Sequence, residues 1–201
     1  MSKTYHHGDL RTQVLAHAAT MIARDGPEAL SLRALAAELG VSHTAPRHHF
    51  GSREGVLTAL AVEGHELLAE ALAGAAHQGF AEVGAPYGDF AVAHPGHFAV
   101  MHAPDLVDGD DADLVRASGR TAAQLTEGVQ SVLDGTDEVV AVAAAAAWSL
   151  VHGLATLTLS GALDVLSARA GGDRHDLALR AARLLFSAPT QTETPDDPVQ
   201  R

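Results

Sequence analysis

The apolar positions of this chain recur at helical spacing along most of its length. Leu10, Val14, Ala18, Met21 and Ile22 fall three or four residues apart, which predicts one buried face of a helix over 10–24. Gly26-Pro27 ends it. Ser31 is placed to cap a short second helix with Leu32, Leu35, Ala36 and Leu39 turned inward. Gly40 supplies the positive φ of a tight turn, and Val41 reaches back to the core. Ser42 then caps a third helix that ends near Phe50. Gly51-Ser52 break the chain again, and Ser52 opens a long fourth helix. Its apolar stripe is Leu57, Leu60, Ala61, Gly64, Leu67, Leu68, Ala71 and Leu72.

Beyond Gly79, Pro and Gly recur every few residues, so short helices joined by loops are expected as far as about Asp111. A helix follows to about Leu133, then one over 137–160. The last is expected over 173–187, with Leu177, Ala181, Leu184 and Leu185 on one face. After Ala188 the chain becomes polar and Pro-rich, the composition of a disordered tail. No alternating strand pattern occurs. The expected fold is all-α: a three-helix head over 1–52, a helical-bundle body over 53–188 and a tail over 189–201.

The stretch "VVAVAAAAAWSLVHGLATLTL", residues 139–159, holds no Asp, Glu, Lys or Arg and has the length a bilayer needs. Much of it is Ala, Ser, Thr and Gly, however, and His152 would sit deep inside. Its flanks, Asp134, Asp137, Glu138 and Asp164, include no nearby basic anchor. It reads instead as a helix buried in a core or at a subunit interface, with no membrane partner. The N-terminal "MSKTYHHGDLRTQ" lacks a signal peptide's apolar run. The absence of cysteine excludes disulfides, cysteine–zinc sites and thiol catalysis. Both fit a cytoplasmic protein.

A net charge of −12 argues against a polyanionic partner until its distribution is considered. Residues 1–60 carry six basic and five acidic side chains, plus six of the thirteen histidines; the rest of the chain carries seven basic and twenty acidic. Head and body therefore suit different partners.

The chemistry lies in "LSLRALAAELGVSHTAPRHHFGSREGVLTAL". Two short helices joined by a Gly turn, with small Ala36 and Ala45 where they cross, form a helix-turn-helix reader. At Leu35-Ala36, Gly40-Val41-Ser42, Phe50, Ser52-Arg53-Glu54 and Leu57 the segment resembles the DNA-binding domain of TetR-family transcriptional regulators. Trp148, His152 and Gly153 in "WSLVHGL", with "HPGHF" at 94–98, resemble the branch named for a Trp-His-Gly signature in its second domain. The resemblance implies a homodimeric repressor that binds a palindromic double-stranded DNA operator. A small-molecule inducer, whose identity the sequence leaves open, would release it. No cofactor, metal or enzymatic activity is implied.

Base edges would be met by His43, Thr44, Ala45 and His48, with Ala45 against a thymine methyl. The DNA backbone would be met by Thr4, Tyr5, Arg33, Ser42, Arg47, His49 and Arg53. Arg47 stands where the family usually has Tyr, and Arg53 where it often has Lys; a guanidinium can serve a phosphate in either place. His49 has a second reading, packing with Phe50 against the head's core. With three histidines in or beside the reading helix, protonation is expected to strengthen DNA binding as pH falls. An effector cavity is expected among Phe90, His97, Phe98, Met101, His102, Gln124, Leu125, Trp148, His152 and Leu154, which combine apolar bulk with a few polar groups.

Other chemistry fits poorly. "DGDDAD" at 108–113 departs from a calcium loop at Ala112, Asp113 and Gly119, and reads as a solvated loop capping the next helix. His94, His97 and His102 have no acidic ligand close in sequence. A helical carrier or enzyme without a DNA role remains the competing assignment, although no catalytic motif occurs.

Overall fold

The computed structural model describes residues 7–75 and 84–173, with 176, 177, 180 and 181. All regular structure among these residues is helical: α1 His7–Asp25, α2 Leu32–Leu39, α3 Ala45–Phe50, α4 Arg53–Ala75, α5 Gly84–Ala93, α6 Pro95–Met101, α7 Ala112–Gln130, α8 Asp137–Leu159 and α9 Asp164–Ala170. Single 3₁₀ turns lie at Pro27–Ala29 and Pro104–Leu106. Thr4, Tyr5, Leu184 and the expected tail lie outside the described residues, as does most of the helix expected over 173–187.

The first core forms where α1, α2 and α4 converge. Val14, Ala18, Leu35, Val56, Leu57 and Leu60 are sealed from solvent, and Val100 of α6 and Leu114 of α7 complete the cluster. Each fully buried aliphatic side chain contributes on the order of 1.5–3 kcal/mol relative to exposure. A second cluster joins Leu68 and Leu72 of α4 to Tyr87, Phe90, Phe98 and Ala155. Because α4 contributes to both, it is the spine between head and body.

Local chemistry sets the helix ends. Ser31 Oγ accepts from Ala34 N–H, and Gly40 closes α2 at φ 65°. Asp111 caps α7 by accepting from the N–H groups of Asp113 and Leu114. The acidic loop thus caps that helix. Thr136 caps α8.

Two expectations need correction and one is narrowed. The reading helix begins at Ala45 rather than at Ser42, since Ser42 to Thr44 form a turn closed by Ala45 N–H on the Ser42 carbonyl at 2.9 Å. Pro46 therefore lies in the first turn, where an N–H has no intrahelical partner to lose. A short helix, α9, occupies residues read as a connection. And of the two placements expected for α8, the core of one subunit does not enclose it: Val142 is 66% exposed and Val139, Trp148, Leu157 and Leu159 are also open. By length and composition α8 could cross a membrane, but it packs on α5 and α7, burying Val140, Ala144, Ala147 and Ala155.

One close approach ties α6 to the head. A Cβ on Gly96 would overlap the backbone of Ala19 in α1, 2.8 Å from its carbonyl carbon. Hydrogen at this position allows the two helix backbones to touch.

Candidate functional site

The candidate DNA-facing surface is the turn after α2 together with α3. Ser42, His43, Thr44, Arg47 and His48 are exposed, as is Arg33 on α2; Ala45 and His49 are half-buried. The Ser42 and Thr44 hydroxyls are 2.9 Å apart and Ser42 Oγ accepts from Thr44 N–H, which stiffens the turn. The α3 termini differ in character. Pro46 anchors the start by burial, and Phe50 at the end lies under the Arg11 guanidinium at 5.4 Å. His49 sits edge-on to His48 and tilted against Phe50, in keeping with its packing role.

Arg53 faces the protein. Its Nε donates to the Leu30 carbonyl at 2.9 Å and its Nη2 to the Pro27 carbonyl at 2.6 Å. The Pro27 carbonyl also accepts from Leu30 N–H at 3.3 Å, so the guanidinium clamps an already closed 3₁₀ turn to the start of α4.

The body holds a cavity of about 700 Å³ that is open to solvent on one side. Its walls are α4 (His65, Leu68, Leu72), the start of α5 (Tyr87), the end of α6 (Met101, His102), α7 (Ser118, Thr121, Leu125) and α8 (Ala147, Trp148, Val151, His152). Of the residues to which the sequence points, Met101, His102, Leu125, Trp148 and His152 line it. Phe90, His97, Phe98, Gln124 and Leu154 do not. His97 is turned to α4, where its Nε2 donates to Glu63 at 3.1 Å. Phe98 lies behind the wall, stacked on His152 at 5.3 Å, and Phe90 packs on His94. Gln124 donates to the Ala69 carbonyl at 3.0 Å, tying α7 to α4. Sequence reasoning misses His65, Tyr87, Ser118 and Thr121. A signal for His65 exists: it lies three and seven residues before Leu68 and Leu72, on the buried side of α4.

A histidine and aromatic cluster forms the polar end. Tyr87 Oη lies 3.0 Å from His152 Nδ1 and 3.4 Å from His102 Nε2. His102 Nδ1 donates to the Phe98 carbonyl at 2.8 Å. Burial pushes the Tyr87 hydroxyl up to about 12 and holds the His102 and His152 rings below the ordinary imidazole range. His65, 3.1 Å from Thr121 Oγ1, is lowered to about 4 by burial, with a smaller push from His102.

A base whose pKa is depressed on folding binds fewer protons in the native state. Its contribution is complete above the unfolded value of 6.5 and is lost as pH falls toward 4. Urea unfolding at pH 7.5 and 4.5 should therefore show stability falling with acid. In His65→Gln that fall should be smaller by about 2 kcal/mol, allowing for solvent screening at a half-buried ring. An equal fall in both proteins would contradict a neutral, buried His65.

Comparisons agree with this geometry. Residues 14–60 match the family profile described as bacterial regulatory proteins, tetR family. Residues 80–185 match that of the tetracyclin repressor-like C-terminal domain, over half the chain. The chain belongs to the TetR family. Its second domain is of the Trp-His-Gly type that Trp148, His152 and Gly153 suggest. An uncharacterised helix-turn-helix transcriptional regulator of Mycobacterium tuberculosis is 29% identical over 160 residues, covering 77% of this chain and 72% of that protein. A solved structure of a Rhodococcus sp. RHA1 protein of unknown function is 32% identical, with TM-score 0.73, covering 91% of this chain and 96% of that one. The fold also matches the TetR-family regulator PfmR of Thermus thermophilus, at 19% identity and TM-score 0.65, over 86% of this chain and 96% of that one. The protein is accordingly a TetR-family transcriptional regulator. Such regulators bind DNA, typically as dimers, and respond to small-molecule effectors.

Proposed function

We propose that this TetR regulator is a cytoplasmic repressor, binding a palindromic operator as a homodimer and leaving it when a small molecule enters the body cavity. Residues 1–52 are the reading head and 53–188 the sensing and dimerising body. The observation that carries the reading is the position of α6. Its last residue, Met101, and the following His102 form cavity wall, while Gly96 near its start touches Ala19 of α1. An occupant that displaces Met101 or His102 moves a helix packed on the head. This gives the ligand a differential contact with two head positions, as an effector requires.

In this reading His43, Thr44, Ala45 and His48 meet base edges, and Ser42, Arg47 and Arg33 hold phosphates. Arg47→Ala should weaken binding to all sequences alike and lower the slope of log affinity against log salt by about one unit per head. Fluorescence anisotropy across a salt series measures both. A loss confined to one operator position would make Arg47 a base reader instead, and no loss would remove it from the interface.

A further inference from the structure

The polar groups around the cavity form a one-sided set. Thr121 Oγ1 gives its only proton to the Ser118 carbonyl at 2.8 Å, so it can only accept from His65. His65 must then carry its proton on Nδ1, which leaves Nε2 bare in the neutral ring. His102 is fixed by the same logic. Its Nδ1–H is engaged by the Phe98 carbonyl, so its Nε2 needs a donor, and the phenol of Tyr87 is the one in reach. With the phenol proton directed there, the Tyr87 oxygen accepts from His152 Nδ1–H, and His152 Nε2 is bare in turn. Reversing that chain would leave His102 Nε2 facing an oxygen lone pair with no proton between them, a costly arrangement at a largely buried ring.

The Ser118 hydroxyl is also occupied, donating to the Leu114 carbonyl at 2.7 Å, and the Trp148 indole N–H lies on the Tyr87 side of the cluster, where it slightly offsets the effect of burial on the phenol. Among the described residues no Asp, Glu, Lys or Arg lines the cavity, and most of its wall is aliphatic or aromatic.

Resting on the reading of this cavity as the effector site, we infer that it takes an uncharged, largely apolar molecule carrying a hydroxyl that donates to Nε2 of His65 or His152. A carboxylate brings only acceptors to a wall of acceptors and would enter without a counter-ion, losing its hydration. An ether of the same shape fills the apolar space but leaves the ring nitrogen unpaired.

Trp148 is the protein's single tryptophan and lies on the cavity wall, so its fluorescence reports occupancy. The test titrates the full-length protein at pH 7.5 with decan-1-ol, 1-methoxydecane and decanoate, none of which absorbs with tryptophan. The alcohol should bind about tenfold more tightly than the ether, and at least about tenfold more tightly than the carboxylate. In the double variant His65→Phe/His152→Phe the alcohol should lose its advantage over the ether, which still binds. Equal or tighter binding of ether or carboxylate to the wild type would overturn the inferred class, as would an alcohol preference that survives in the double variant. Operator release by the alcohol is read separately by anisotropy. Preferential binding without release upholds the ligand class and refutes the effector reading; no response of Trp148 to any of the three overturns both.

Discussion

Gly96→Ala is expected to destabilise the protein by about 3 kcal/mol in urea unfolding, and Gly96→Val by more. The added Cβ would lie 2.8 Å from the carbonyl carbon and 3.0 Å from the Cα of Ala19. Those atoms are helix backbone and cannot rotate aside, so α1 and α6 must separate. Separation opens the cluster in which Val100 of α6 meets Val14, Ala18 and Leu57. Gly119→Ala is the control. It lies exposed in the middle of α7 with nothing within 4 Å of an added Cβ, and should gain about 0.5–1 kcal/mol from helix propensity. If Gly96→Ala matched the wild type, α6 would not rest on the head, and the proposed route from cavity to DNA would lose its contact.

The second large effect concerns α8. A helix with Val142 66% exposed, and Val139 and Leu157 open on the same side, presents a row of apolar surface that a monomer rarely leaves bare. In the proposed dimer it faces its own copy. Val142→Arg and Ala145→Arg, both at exposed positions, should give monomers at micromolar concentration in analytical ultracentrifugation while leaving the urea midpoint of the isolated fold nearly unchanged. Operator affinity should fall at least about 100-fold, because the second head no longer binds as part of the same particle. Unchanged dimers from both variants would move the subunit interface elsewhere.

Much of the head could be read from residue order alone. Leu32, Leu35, Ala36 and Leu39 at helical spacing, a Ser before them and a Gly after them specify α2 by local chemistry. The α4 stripe was equally legible, with Leu57, Leu60, Leu68 and Leu72 all buried. Local rules were less decisive at Ser42, a good capping residue followed by a turn, where Pro46 in the first turn sets a later helix start. They were silent on the inward contacts of Arg53, whose guanidinium reaches the Leu30 and Pro27 carbonyls over twenty residues earlier, which no periodicity reveals. The cavity was half legible for the same reason. Helical spacing shows which residues share a face but not which other helix that face meets. His97 and His102 looked alike in sequence, yet one turns to Glu63 and the other to Tyr87. For α8 the apolar run was plain, while its partner depends on how many helices one subunit can wrap around it.

In the proposed function the α2–α3 heads of a dimer bind DNA sequence-specifically. The most direct test is selection of genomic DNA fragments on the purified full-length protein, with Arg47→Ala run in parallel. The expected result is enrichment of an inverted repeat whose half-sites are spaced for two heads on successive turns of the duplex, about 10 base pairs apart or a multiple, and a marked loss of recovery with Arg47→Ala. Fragments recovered without a shared sequence, or a repeat recovered equally well by the variant, would contradict it.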